Sequence, residues 1–379
     1  MQNKFDCIVV GGGYFGCSIA YHISRAGKKT ALIEQKEIAS GASGANFGCV
    51  QVQDANMGMS LTLTLQGIER MRHMGGELRA DIGFEPFGSL IVAENATQLR
   101  ELEKLYREKK DAGLDIEWLD ADQVLKAEPN LAPGTILAAT KYVQAKIYPF
   151  HYIYALVKRA QEHGLKLMEH TKVAELLMEG GECRGVVLTG GETLRAEQVI
   201  VSAGSWTREI CRTAGLDVPV YSVKAEAFVT EPLRPFLRYY YSSAGFFAEA
   251  HSQEAAATSL CIHQSHNGNL LIGETAKPDG MVGEAFSDLT SSEHCAHIHA
   301  LLARYFPALM NAQVLRSWVT RSPYTDSCQP VLCQSSVKGL IIAAGFKSAA
   351  ILSAVAGEIV AELAVKGRSK VDLSDFISV

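Results

Sequence analysis

A glycine-rich turn near the start of the chain carries its most specific chemistry. Cys7-Ile8-Val9-Val10 runs into Gly11-Gly12-Gly13-Tyr14-Phe15-Gly16, and a second apolar run, Thr30-Ala31-Leu32-Ile33, ends on Glu34. Gly11 permits a tight turn out of a strand, Gly13 lets backbone N–H groups approach a pyrophosphate, and Gly16 allows the following helix to pack against the sheet. The helix N-terminus then presents its positive dipole end to the phosphates. Glu34 stands 18 residues beyond Gly16, close to the ~20 at which an acidic side chain takes ribose hydroxyls. Strand, turn, helix, strand and acid occur in order, which describes a dinucleotide-binding unit. The turn by itself does not distinguish a nicotinamide from a flavin.

The remaining reactive side chains form no comparable constellation. Nine cysteines include no Cys-x-x-Cys pair, which argues against a disulfide framework or an iron–sulfur loop and for reduced core thiols. His294, Cys295, His297 and His299 share one predicted helix. Cys295, Ile298, Leu302 and Tyr305 fall on its apolar stripe, so Cys295 reads as core and no metal is expected. Thirty-six basic against 41 acidic residues give a net charge of -5 with no basic block, which disfavours nucleic acid. No apolar run approaches the ~20 residues that span a bilayer. The N-terminal apolar run enters a turn and reads as a strand, so the expected location is the cytoplasm.

After Glu34, the segment from Ile38 to Gly48 is poor in bulk and can meet phosphate with its amides. Helices are predicted over 61–76, 97–112, 147–164, 291–306 and 353–366, with strands at 90–92, 166–168, 173–178, 186–188 and 199–201. From Val220 the texture turns β-rich, with strands at 225–230, 259–264 and 270–273 and a hairpin turn at Asn267-Gly268. A last strand, Leu340 to Ala344, precedes Gly345. The fold class is α/β: a discontinuous Rossmann-like domain over 1–80, 145–215 and 326–379, with a β-rich α+β domain, 81–144 and 216–325, inserted in it.

Several of these segments resemble one family. Val9-Val10-Gly11-Gly12-Gly13, Glu34, Ser40-Gly41-Ala42-Ser43-Gly44, Val173, Ala203-Gly204-Ser205-Trp206 and Ala343-Ala344-Gly345-Phe346 are together similar to the FAD-dependent D-amino-acid oxidase superfamily. Its members include glycine oxidase, sarcosine oxidase and the flavin subunits of proline, hydroxyproline and opine dehydrogenases. Similarity to the heteromeric flavin subunits looks closest, through Val218-Pro219-Val220, Leu315-Arg316-Ser317-Trp318 and the run from Gly357 to Leu363. The resemblance implies noncovalent FAD held by Gly11, Gly13, Tyr14, Phe15, Gly16, Glu34, Gln35, Ser43, Gly44, Ala45, Asn46, Val173, Ala203, Gly204, Trp206, Gly345, Phe346 and Lys347.

It also implies that a small amino acid or secondary amine is oxidised at its carbon–nitrogen bond, with a cationic side chain clamping the carboxylate. Arg321, three residues after Trp318, is the first candidate, and Lys347 the second. Gln264 and His266 share one face of a predicted strand and His263 the other; Tyr241 offers an aromatic wall. The expected electron acceptor is oxygen, a quinone or a partner redox subunit, with hetero-oligomers in view. Two alternatives remain: a 2-hydroxy acid dehydrogenase, and a flavin subunit that works only with partner chains.

Overall fold

The computed structural model describes residues 4–245, 257–278 and 289–379. The chain divides into two compact units, one of Met1–Phe84, Lys146–Ser222 and Ser322–Val379, the other of Glu85–Ala145 and Val223–Arg321. In chain order the first unit contributes β1 (Lys4–Val10), α1 (Tyr14–Arg25), β2 (Thr30–Ile33), α2 (Met59–Leu78), α3 (Pro149–Glu162), β3 (Lys166–Met168), β4 (Val173–Glu179), β5 (Glu182–Leu188), β6 (Thr193–Val201), β7 (Val331–Gln334), β8 (Leu340–Ala344) and α4 (Ala349–Lys366).

Its sheet runs β7-β8-β6-β1-β2-β3, with the β4–β5 hairpin attached to β6. β1 lies between β2 and β6 and is parallel to both. A central parallel strand is covered on both faces, which is why it reads as an unbroken apolar run; Ile8, Val9, Ile200 and Ile341 are fully buried. One face carries Ile8, Ile33, Val199, Val201 and Ile342 into a common core. On the helical layer, α1 and α4 approach closely. A Cβ on Gly357 would lie 2.1 Å from Ser18 Oγ, and that hydroxyl donates to Ser353 O at 2.7 Å. α4 starts at Ala349, four residues ahead of the expected Ser353, because Ser348 in the left-handed conformation (φ 53°) turns the chain directly into it.

The second unit is a mixed sheet. Its strands run in the order Val314–Tyr324, Tyr221–Pro232, Asn269–Pro278, Ala257–Gln264, Tyr240–Ser243, Glu85–Ala93 and Ala138–Lys146, with Glu117–Asp120 beside the last. One face packs Leu90, Val92, Tyr241, Leu260, Ile262 and Ile272 against Ile298, Tyr305 and Phe306. Helix Ser292–Tyr305 turns Ile298, Leu302 and Tyr305 to the core as expected, but Cys295 is exposed and His294 is buried instead, stacked on Phe228 at 5.8 Å. Ser291 caps this helix by accepting from His294 N, and the cap sets the phase that brings position 294 inward.

Among the described residues, no helix is long and apolar enough to cross a membrane.

Candidate functional site

The glycine turn is held from three sides within the first unit. Gly11 has φ 110°, its N–H donates to Ile33 O at 2.8 Å, and a Cβ there would fall 2.3 Å from Ser202 O. The end of β6 therefore abuts the turn, and Ser202 N donates to Val10 O at 2.9 Å. Ala203 and Gly204 (φ 55°) follow at once and lead into the short helix Gly204–Trp206. A Cβ on Gly16 would lie 1.8 Å from Gly11 O, so only glycine lets α1 start this close to its own turn.

Glu34 is fixed against the same turn. Its Oε2 accepts from Gly12 N at 2.7 Å and its Oε1 from Lys36 N at 2.9 Å. Glu34 O accepts from Thr171 N at 2.9 Å, which brings the approach to β4, and Val173 at its start, alongside the acid. Gln35, next in the chain, is half-buried.

The small-residue segment closes over the other side. Ser43 Oγ accepts from Tyr14 N at 3.0 Å, and a Cβ on Gly13 would come within 2.7 Å of that hydroxyl. Asn46 organises the segment: Oδ1 accepts from Tyr14 Oη at 3.2 Å and from Gly48 N at 2.8 Å, and Nδ2 donates to Ser43 O. Gly44 packs beside Phe150, and Ala45 N donates to Ala42 O at 3.3 Å. α1 follows Gly13 as its N-cap and carries no acidic residue in its first turn, so the positive end of its dipole suits an anion. The rings of Tyr14 and Phe15 serve packing instead. Tyr14 is buried toward Asn46, and Phe15 stacks on Phe346 with centroids 3.8 Å apart.

That stack ties α1 to the segment after β8. Gly345 (φ 72°) makes the corner, where a Cβ would meet Thr325 Cγ2 at 2.8 Å. Lys347 Nζ then donates to Asp54 O at 2.9 Å, and Lys347, Ser348, Asn56, Ser60 and Cys328 line a small pocket. Burial raises the Cys328 thiol, with the Lys347 charge opposing, so it stays protonated near neutrality and offers no thiolate.

In the second unit, two of the expected substrate residues lie on the core face of the sheet. Tyr241 faces the core, its ring against Phe306 at 5.3 Å and Tyr305 at 6.1 Å, with burial raising its phenol well above the ordinary value. Gln264 is spent on the backbone: Oε1 accepts from Phe236 N and Leu237 N, and Nε2 donates to Arg234 O and Gly268 O. These contacts hold the loop of residues 233–237 and leave the amide no capacity for a substrate, which corrects both assignments to catalysis. His266 sits at the hairpin turn, paired with Glu85 at 3.2 Å. The alternate set, Tyr240 and His263, lies on the opposite face, with Tyr240 Oη 2.5 Å from Cys261 Sγ. Strand parity alone could have offered this set, but not the choice between the two faces. Arg321 is half-buried near the end of strand Val314–Tyr324.

Parallel strands β1, β2 and β6, a glycine turn opening a helix and an acid bound to that turn define a dinucleotide-binding fold of the Rossmann type. Gly11, Gly13 and Gly16 leave the room that a pyrophosphate needs, and Glu34 is already oriented, so the residues fit FAD. The chain belongs to the DAO family of FAD dependent oxidoreductases, whose sequence profile matches residues 6–363. It is 27% identical to a glycine oxidase of Geobacillus kaustophilus (strain HTA426), over 99% of this chain and 97% of that protein. Across 97% of its length it is 30% identical to 4-methylaminobutanoate oxidase (formaldehyde-forming) of Paenarthrobacter nicotinovorans, of which it spans 44%. Sarcosine oxidase subunit beta of Rhodobacter capsulatus is 23% identical, over 97% of this chain and 86% of that one. The crystal structure of glycine oxidase from Geobacillus kaustophilus superposes with a TM-score of 0.86 at 25% identity, over 99% of this chain and 98% of that one.

Proposed function

We propose that this protein oxidises a small amino acid or secondary amine at its carbon–nitrogen bond. The observation that carries the reading is likeness to glycine oxidase along nearly the whole chain, in sequence and in fold together. FAD, when bound, would supply the hydride acceptor; the substrate carbon gives up a hydride and its nitrogen a proton, and water converts the imine to a carbonyl compound and ammonia or an amine.

The chain's own residues bind and orient. Gly11, Gly13 and Gly16 with the N-terminus of α1 receive the pyrophosphate, and Glu34 receives ribose hydroxyls through a carboxylate already fixed by two backbone donors. Ser43, Gly44, Ala45 and Asn46 close the phosphate side, Val173 borders the adenosine end, and Ala203, Gly204 and Trp206 border the turn. Gly345, Phe346 and Lys347 shape the segment entering α4. Arg321, whose planar fork suits a carboxylate, is the first candidate to clamp the substrate, and Lys347 is the alternative. No cysteine supports a covalent flavin link, and FAD is expected to be held noncovalently; flavin remaining with the polypeptide after acid precipitation would count against this.

Anaerobic mixing of the holoprotein with glycine, sarcosine, D-amino acids, prolines and opines tests the reading. Bleaching of the flavin by at least one is expected, and bleaching by none of them, or by a 2-hydroxy acid alone, would overturn it. A second reading draws on relatives named as subunits, among them sarcosine oxidase subunit beta: the chain turns over only beside a partner. Full turnover by the isolated, mass-verified chain would exclude it.

A further inference from the structure

The carboxyl ends of four strands of the first unit lie in a row. β2, β1, β6 and β8 are neighbours in that order and run parallel. Glu34, the glycine turn, Ser202 to Gly204 and Gly345 to Lys347 follow them in turn and so form one rim. Ligands of open α/β sheets lie along such a rim. With ribose hydroxyls on Glu34 and the pyrophosphate at the glycine turn, the other half of the dinucleotide extends past β6 to β8, two strand spacings or ~10 Å further on. The flavin ring therefore belongs at the segment from Gly345 to Ser348.

Two buried polar atoms at this end of the rim have no hydrogen-bond partner among the described residues, Asp54 Oδ1 and Ser348 Oγ. Lys347 joins their segments: its Nζ donates to Asp54 O at 2.9 Å, and Lys347 and Ser348 line the same small pocket as Ala55 and Asn56, which follow Asp54. Asp54 is 7% exposed, and a carboxylate so far from water is costly while one of its oxygens lacks a donor. A carboxylate accepts and a hydroxyl can donate, so the pair suits a ligand group that presents an N–H beside a C=O. The imide edge of a flavin, with a carbonyl on either side of N3–H, is such a group, and the adenosine is at the far end of the rim with Glu34. We propose that Asp54 accepts the flavin's N3–H and that its charge holds the flavin's reduction potential down. The amides and glycines of the phosphate cradle bring only partial charges; Asp54 brings a full negative charge to the ring, where it opposes the electrons that reduction adds. This rests on FAD binding and not on which amine is oxidised.

The test compares wild-type holoprotein with Asp54→Asn, which keeps the shape and removes the charge. The variant's two-electron midpoint potential is expected to rise by about 30 mV or more, the equivalent of a tenfold change in the equilibrium constant. Its N3–H ionisation constant, read from the flavin spectrum in a pH titration, is expected to rise about tenfold or more, because the anion no longer forms beside a like charge. Either equilibrium constant within twofold of the wild-type value would overturn the proposal. If Asp54→Asn does not retain flavin, wild-type apoprotein decides: FAD methylated at N3 should bind about tenfold or more weakly than FAD itself, and equal affinity would overturn the proposal. None of these measurements involves turnover, so failure of every amine to bleach the flavin would defeat the proposed function and leave them readable.

Discussion

Acidification should destabilise the first unit through one histidine. His22 lies on α1 beside Gly357 of α4, is 5% exposed, and its Nε2 has no hydrogen-bond partner among the described residues. Burial, helped by the charges of Arg25 and Arg70 and opposed by Glu77, lowers its pKa from 6.5 to about 3. The unfolded chain therefore takes up a proton that the folded chain refuses, and stability is lost as pH falls below 6.5. Between pH 7.5 and 5.0 the linkage costs about 2 kcal/mol, a value set by the unfolded pKa so long as the folded one lies below 5. Glu77, pulled down to about 2 by Arg70 against the effect of burial, loses its contribution only as pH falls below the ordinary carboxylate value of 4.5. The window thus separates the two groups. The assay is urea unfolding of holoprotein at fixed excess FAD, at both pH values, for wild type and His22→Leu. Wild type should lose about 2 kcal/mol more than the variant. His294, also held low by burial, contributes equally to both proteins and cancels. Parallel losses in the two proteins would refute the reasoning.

Three further outcomes follow from the site geometry. Gly16→Ala places a methyl group 1.8 Å from Gly11 O, so the purified protein should carry little flavin, read from the ratio of flavin to protein absorbance. Glu34→Gln keeps the shape but removes the charge that accepts from Gly12 and Lys36; FAD affinity should fall roughly tenfold to a hundredfold, measured by fluorescence titration of apoprotein. Gln264→Ala leaves the buried N–H groups of Phe236 and Leu237 without their acceptor and should cost about 2 kcal/mol in urea unfolding while KM changes less than twofold. A large KM change would return Gln264 to the substrate site.

Local chemistry was legible wherever neighbours in sequence are also neighbours in space. The strand, turn and helix around Gly11 to Gly16 needed only glycine sterics and one acid at the right distance. What escaped depended on remote partners. Tyr241 and Gln264 turn inward because Ile262 and Leu90, on the same face, pack against a helix thirty or more residues further along the chain. Cys295 and His294 exchanged places for the same reason, because an amphipathic stripe with histidine at its edge has two readings until a cap fixes its phase. Asp54 offered no signal at all: it meets Lys347 through its backbone oxygen, which any residue could supply.

The contact between Gly11 and Ser202 has a consequence for how the protein comes into being. The turn that receives the cofactor is synthesised well before Ser202, yet its shape is braced by that residue's carbonyl, 191 positions later. The strand bearing that carbonyl is in turn flanked by β8, near the C-terminus. Loops closed over such separations form slowly, after the local helices. Cofactor capture therefore waits for the strand that carries Ser202: a nascent chain stopped before it has the glycine motif in full and no wall to hold it in shape.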